Sequence, residues 1–124
     1  MKTIVVDFDG VLHWYRKGWH DGTIYDEPVP GSQLAMAELL EAGFRVVIFS
    51  TRATERVIKG NKQKSQWFEM KQWLFKHNFP QGLHVNTEEG KPMGVAYIDN
   101  RAVRFRGNWR ETLQEAMTLT PWNL

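Results

Sequence analysis

The sequence predicts an α/β fold: a three-layer sandwich with a central parallel sheet. Short apolar runs rich in β-branched residues alternate with segments of helical periodicity. Three of those runs end in polar residues, as strands do when their carboxyl ends border a ligand site. A length of 124 residues with 42% apolar content leaves room for one core, so a single domain over 1–124 is expected.

The first strand is Thr3 to Val6, closing on acids at Asp7 and Asp9. From Gly10 to Gly31 the chain carries Trp14, Tyr15, Gly18, Trp19, Gly22, Pro28 and Pro30, too aromatic for a linker and suited to a packed flap or hairpin. Ser32 is a candidate N-cap for a helix with Met36, Leu39 and Leu40 on one face and Gly43 as its stop. Val46 to Phe49 is a second buried strand running into Ser50-Thr51-Arg52. Helical spacing of Trp67, Met70 and Leu74 predicts a helix from Lys64 to His77, halted by Asn78 and Pro80. Leu83 to Val85 is a weaker strand, Val95 to Ile98 a stronger one leading to Asp99-Asn100, and Val103 to Phe105 a short fifth. Asn108 and Glu111 form a capping-box-like start for a last helix with Trp109, Leu113, Ala116 and Met117 facing the core.

Composition narrows the chemistry. Mean hydropathy of -0.48 and 24% charged residues describe a globular chain, and no apolar run nears the ~20 residues of a membrane span. The start, Met1-Lys2-Thr3 followed by Ile4-Val5-Val6, lacks the pattern of a secretory signal, so a cytoplasmic location and no membrane partner are expected. Without cysteine there is no disulfide or thiolate chemistry, and any metal is held by oxygen or imidazole. A formal charge of +2 does not define a nucleic-acid protein, although Arg56, Lys59, Lys62, Lys64, Lys71 and Lys76 share one stretch with only Glu55 and Glu69 as acids.

Parallel strands end side by side, so Asp7, Asp9, Ser50, Thr51, Asp99 and Asn100 should converge on one edge. Several carboxylates there raise one another's pKa unless a cation neutralises them. An oxygen-only donor set points to Mg²⁺, with Asp7, Asp9 and Asp99 as candidate ligands and substrate phosphate completing the shell. The same Asp-x-Asp-Gly string opens a calcium-binding EF-hand loop, but Val11 and Gly18 stand at later ligand positions and exclude it. Trp14, Tyr15 and Trp19 read as core cover or the base of a lid, with a lid that grips substrate as the alternative, and His13 and His20 read as surface or hydrogen-bonded histidines. Arg52 has the fork that suits phosphate.

Asp7-Phe8-Asp9-Gly10-Val11 after an apolar strand resembles the first motif of the haloacid-dehalogenase-like phosphohydrolases. Ser50 or Thr51 is similar to the second motif, Lys91 to the third and Asp99 to the fourth. Lys91-Pro92 and Tyr97-Ile98-Asp99-Asn100-Arg101-Ala102 are most like small, cap-poor phage and bacterial members, and the resemblance spans essentially the whole chain. It implies a Rossmann-like fold with minimal or no cap. It also implies Asp7 as nucleophile through an aspartyl-phosphate, Asp9 as acid and base, and Ser50 and Lys91 as further catalytic groups. Gly10, Thr51 and Arg52 would contact substrate, and Mg²⁺ would be held by Asp7, Asp99 and the backbone carbonyl of Asp9. Asn100 departs from the second acid common in the fourth motif and carries no charge.

The expected function is therefore a phosphomonoester hydrolase. Without room for a large cap, its substrate is expected to be a phosphorylated small molecule, or a bulkier nucleotide or nucleic-acid end, and closure by a partner subunit would make the chain a homo-oligomer. The alternative is a weak or inactive member that binds a phosphate ligand or nucleic acid.

Overall fold

The computed structural model describes residues 1–121. Strand β1 (Thr3–Val6) is followed by helix α1 (Ser32–Glu41), strand β2 (Arg45–Ile48), a short hairpin of β3 (Arg56–Ile58) and β4 (Asn61–Gln63), and helix α2 (Trp67–Lys76). Strands β5 (His84–Val85) and β6 (Ala96–Ile98) precede helix α3 (Trp109–Thr118). Strands β5, β2, β1 and β6, in that spatial order, form one parallel sheet. The chain is thus α/β, with a four-stranded parallel sheet and three helices. No described helix is long and apolar enough to cross a membrane.

Alternation along the strands decides which residues enter the core. Ile4, Val6 and Phe8 pack with Val46 and Ile48 against Met36 of α1 and Met70, Trp73 and Leu74 of α2. Both helices therefore cover the same face. Burial of each such side chain contributes roughly 1.5–3 kcal/mol.

The helix ends have local causes. At α1, Gly43 N–H bonds to the Leu40 carbonyl (3.0 Å) and Phe44 N–H to the Leu39 carbonyl (3.1 Å), with Gly43 at φ 93. This is the paired bonding of a Schellman stop, where glycine takes the left-handed conformation without penalty. Asn78, at φ 60, ends α2 in the same way through Asn78 to Phe75 and Phe79 to Leu74.

Several sequence expectations are corrected. Gly31, not Ser32, is the N-cap of α1, because its φ of 87 turns the chain in, and Ser32 becomes the first helical residue. Helix α2 begins at Trp67 rather than Lys64, because Asn61 to Gln63 are drawn into the hairpin. Lys59 and Gly60 both have positive φ, as a two-residue hairpin turn requires. Val103 to Phe105 joins no ladder. Helix α3 has no buried residue: Trp109, Leu113, Ala116 and Met117 face solvent rather than the core.

Residues 10–31 form a packed flap rather than a hairpin. Isolated bridges join Asp9 to His13 and His13 to Pro28, and Trp14 N–H bonds to the Glu27 carbonyl. The Trp73 indole N–H reaches the Asp26 carbonyl at 2.9 Å, fastening the flap to α2.

Candidate active site

The carboxyl ends of β1, β2 and β6 open onto a cleft of about 310 Å³. Its walls are Asp7 and Asp9 after β1, Phe49, Ser50 and Thr51 after β2, Asp99 and Arg101 after β6, and Tyr15 from the flap. Asp7 is held by the sheet itself, its N–H bonding to the Ile98 carbonyl at 2.9 Å. Its carboxylate accepts the neighbouring Phe8 N–H at 2.8 Å. Loss of water around Asp7 pushes its carboxyl up to about 7, and the charges of Asp99 and Asp9 add to this against the lowering effects of that bond and of Arg101. A group so perturbed, in a cleft, marks a functional candidate.

Asp9 is gripped on both oxygens. His13 Nδ1 lies 2.8 Å from Oδ1, and Arg52 Nε donates to Oδ2 at 2.7 Å. The Asp26 N–H donates to His13 Nε2 at 3.0 Å. That nitrogen is therefore the acceptor, so Nδ1 carries the proton and donates it to Asp9. The Asp26 carboxylate is in turn paired with Arg16, which holds it well below the usual carboxylate range. A chain of bonds thus runs from Arg16 through Asp26 and His13 to Asp9.

Ser50 is buried and its Oγ accepts the Arg52 N–H at 3.2 Å, capping the turn over Thr51–Ala53. Its hydroxyl hydrogen remains able to donate. Thr51 is exposed on the same wall. Tyr15 stands at φ 63, a conformation uncommon outside glycine, and burial followed by the Asp9 charge pushes its phenol up. Lys91 lies in an adjoining cavity of about 240 Å³ that it shares with Asp7 and Asp99, its Nζ 4.3 Å from the centre of the Tyr97 ring.

The structure therefore brings together Asp7, Asp9, Ser50, Thr51 and Asp99, with Lys91 next door. It does not place Gly10 or Arg52 on the cleft wall. The Gly10 N–H is consumed by the His13 carbonyl at 2.7 Å. Arg52 is 1% exposed and donates through Nη1 to the Gly22 carbonyl (2.8 Å) and Gln66 Oε1 (3.0 Å), under the Trp19 ring. It is a buried partner of Asp9 rather than an open phosphate fork. Among the described residues no group of three or more His, Cys, Asp or Glu is gathered to hold a metal ion, and the Asp9 carboxylate is already committed.

His13 and Arg101 are the members of this site that the sequence did not single out as functional, whereas Tyr15, one of the lid candidates, does reach the cleft wall. Arg101 stood within the motif-like string after β6, and its position directly beyond Asp99 was the available signal. For His13 there was none, since nothing in its spacing foretells complete burial against Asp9.

No family model matches the chain, and no curated protein matches it. Among solved structures it is similar to a crystal structure of a structural-genomics target from Vibrio cholerae. The identity is 24%, over 97% of this chain and 100% of that one, with a TM-score of 0.44.

Proposed function

We propose that this protein is a Mg²⁺-dependent phosphomonoester hydrolase of the haloacid-dehalogenase-like kind, working through an aspartyl-phosphate on Asp7. The observation that carries this reading is a desolvated Asp7 sharing one open cleft with Asp99, Asp9, Ser50 and Arg101.

The residues fit a hard cation. Asp7 resists ionisation unless positive charge is supplied, and Asp99 lies beside it as a second oxygen donor. Mg²⁺ needs only one or two carboxylates, because it retains waters and takes the rest of its shell from phosphate. Asp7 and Asp99 would hold it, without the Asp9 carboxylate. When bound, the ion would supply charge neutralisation at the phosphoryl oxygens.

An Asp7 carboxylate oxygen attacks phosphorus, forming an O–P bond as the bond to the leaving oxygen breaks. Asp9, which must enter the cycle carrying a proton, passes it to that oxygen and then takes one from the water that attacks the aspartyl-phosphate, releasing phosphate and restoring both Asp7 and the protonated Asp9. Since both Asp9 oxygens accept hydrogen bonds, one must exchange its partner for the substrate during turnover. Ser50, Thr51 and Arg101 donate to the phosphoryl oxygens, and Lys91 reaches the same group by leaving the Tyr97 ring.

The cleft is open and the flap small, so the substrate extends beyond its phosphate. A nucleotide or a phosphorylated nucleic-acid end suits Arg56, Lys59 and Lys62 on the hairpin and Lys71 on α2. The double engagement of Asp9 favours a second reading, a phosphate-binding module without turnover. Hydrolysis of p-nitrophenyl phosphate with and without Mg²⁺ separates the two. Metal-dependent turnover lost in Asp7→Asn supports the enzyme, and its absence leaves the binding module.

A further inference from the structure

We propose that this chain pairs with a second copy of itself by exchanging α3, the helix of each copy covering the sheet edge of the other. The proposal does not depend on the chemistry above.

Among the described residues, two apolar surfaces have no helix packed on them. One is the outer edge of the sheet on the Val5 and Tyr97 face, where Val95 and Tyr97 are 60% and 42% exposed although β6 is paired with β1. Helices α1 and α2 both lie on the Ile4, Val6 and Phe8 face, so neither serves the face of Tyr97. The cavity there is lined by Val5, Phe49, Tyr97, Ile98 and Ala102, with Asp7, Asp99 and Lys91 at its rim. The other surface is α3. Trp109, Leu113 and Met117 recur at every fourth residue, 72%, 55% and 72% exposed. Helices of about ten residues are marginal in water without a packed face.

The segment leading into α3 holds it off its own sheet. Phe105 packs at a tilt against Trp109 with ring centres 4.9 Å apart, and Arg106 pairs with Glu115 at 3.4 Å. Gly107 turns at φ 90, and the Asn108 side chain caps the helix through the Glu111 N–H. The approach is thus bound to the helix it introduces, and this elbow sends the apolar stripe outward.

Phe105, Trp109, Leu113, Met117, Val95 and Tyr97 leave on the order of 700 Å² open per chain, so a reciprocal exchange would bury up to about 1,400 Å², within the range of a standard stable interface. A two-fold axis lets each copy give the same helix and receive it at the same edge. The exchange would also brace Asp99 and Arg101, which begin the segment that leads to α3.

Sedimentation equilibrium of the full chain should give twice the 14.5 kDa chain mass. The pair Leu113→Glu and Met117→Glu, at exposed positions, should give single chains with unchanged circular dichroism of the α/β core. The native chain has no cysteine, so single-cysteine chains carrying Val95→Cys or Leu113→Cys, mixed and oxidised, should form a disulfide between unlike chains. That cross-link decides the matter even if the glutamates unsettle the helix. A wild-type mass of one chain at every concentration overturns the proposal. So does a Val95→Cys/Leu113→Cys double variant that closes within a single chain, which would place α3 on its own sheet.

Discussion

Arg52 donates through Nε to Asp9 Oδ2 across 2.7 Å, and the two side chains differ sharply in access to water, at 1% and 20% exposed. Removing either partner therefore has a different consequence. Asp9→Ala strands a guanidinium that cannot reach solvent and should cost about 3–5 kcal/mol. Arg52→Met leaves a carboxylate that can turn outward, for a loss of about 1–3 kcal/mol. Urea unfolding of the two variants checks the order, and a greater loss in Arg52→Met would contradict it.

His13 positions Asp9 through a proton fixed on Nδ1. His13→Ala should lower kcat for phosphate-ester hydrolysis about 10- to 100-fold with little change in KM, as loss of an orienting partner does elsewhere. His13→Asn, whose amide N–H can replace the Nδ1 proton, should recover part of kcat. Equal kcat in the two variants would show that the imidazole serves only packing.

Asp7 gives the metal-free chain a distinctive pH dependence. Its carboxyl rises from 3.8 to about 7 on folding, so between these values the folded state holds a proton that the unfolded chain has released. Stability should therefore fall as pH rises through that window. The full shift corresponds to ~4 kcal/mol, and about 2 kcal/mol is expected after allowance for the solvent that reaches the cleft. Thermal unfolding at pH 5 and pH 8 should show this loss in the wild type and not in Asp7→Asn. Mg²⁺ at pH 8 should restore stability to the wild type alone.

Arg101 is exposed, lines the cleft and lowers the pKa of Asp7. Arg101→Ala should raise KM about 10-fold for phosphate esters, and Arg101→Lys should recover some of that, because a point charge replaces a two-pronged donor. An unchanged KM, or one indifferent to ionic strength in the wild type, would remove Arg101 from substrate binding.

The sheet was legible because β-branched runs such as Thr3 to Val6 and Val46 to Phe49 have few other ways to bury themselves. Gly43 and Asn78 marked the helix ends through backbone chemistry that is local to the sequence. The convergence of Asp7, Ser50 and Asp99 followed from parallel pairing, which places strand ends together whatever the loops do. The role of Arg52 was not legible. Its burial depends on Gly22, Trp19 and Gln66, which come from the flap and the start of α2 and meet it only in three dimensions. Nor did the periodicity of α3 reveal its place, because an apolar stripe specifies that a helix needs a partner surface and not which surface provides it.

Asp26 knits the flap together, with its amide on His13 and its carboxylate on Arg16, and its carbonyl fastens the flap to Trp73 of α2. Swinging residues 10–31 away would leave the Trp73 indole N–H without its partner and take His13 from Asp9. On the proposed reading, reactants would therefore arrive and depart along the wall between Thr51 and Arg101. Selection would then rest on what can approach by that fixed route, rather than on a cover that shuts behind the guest.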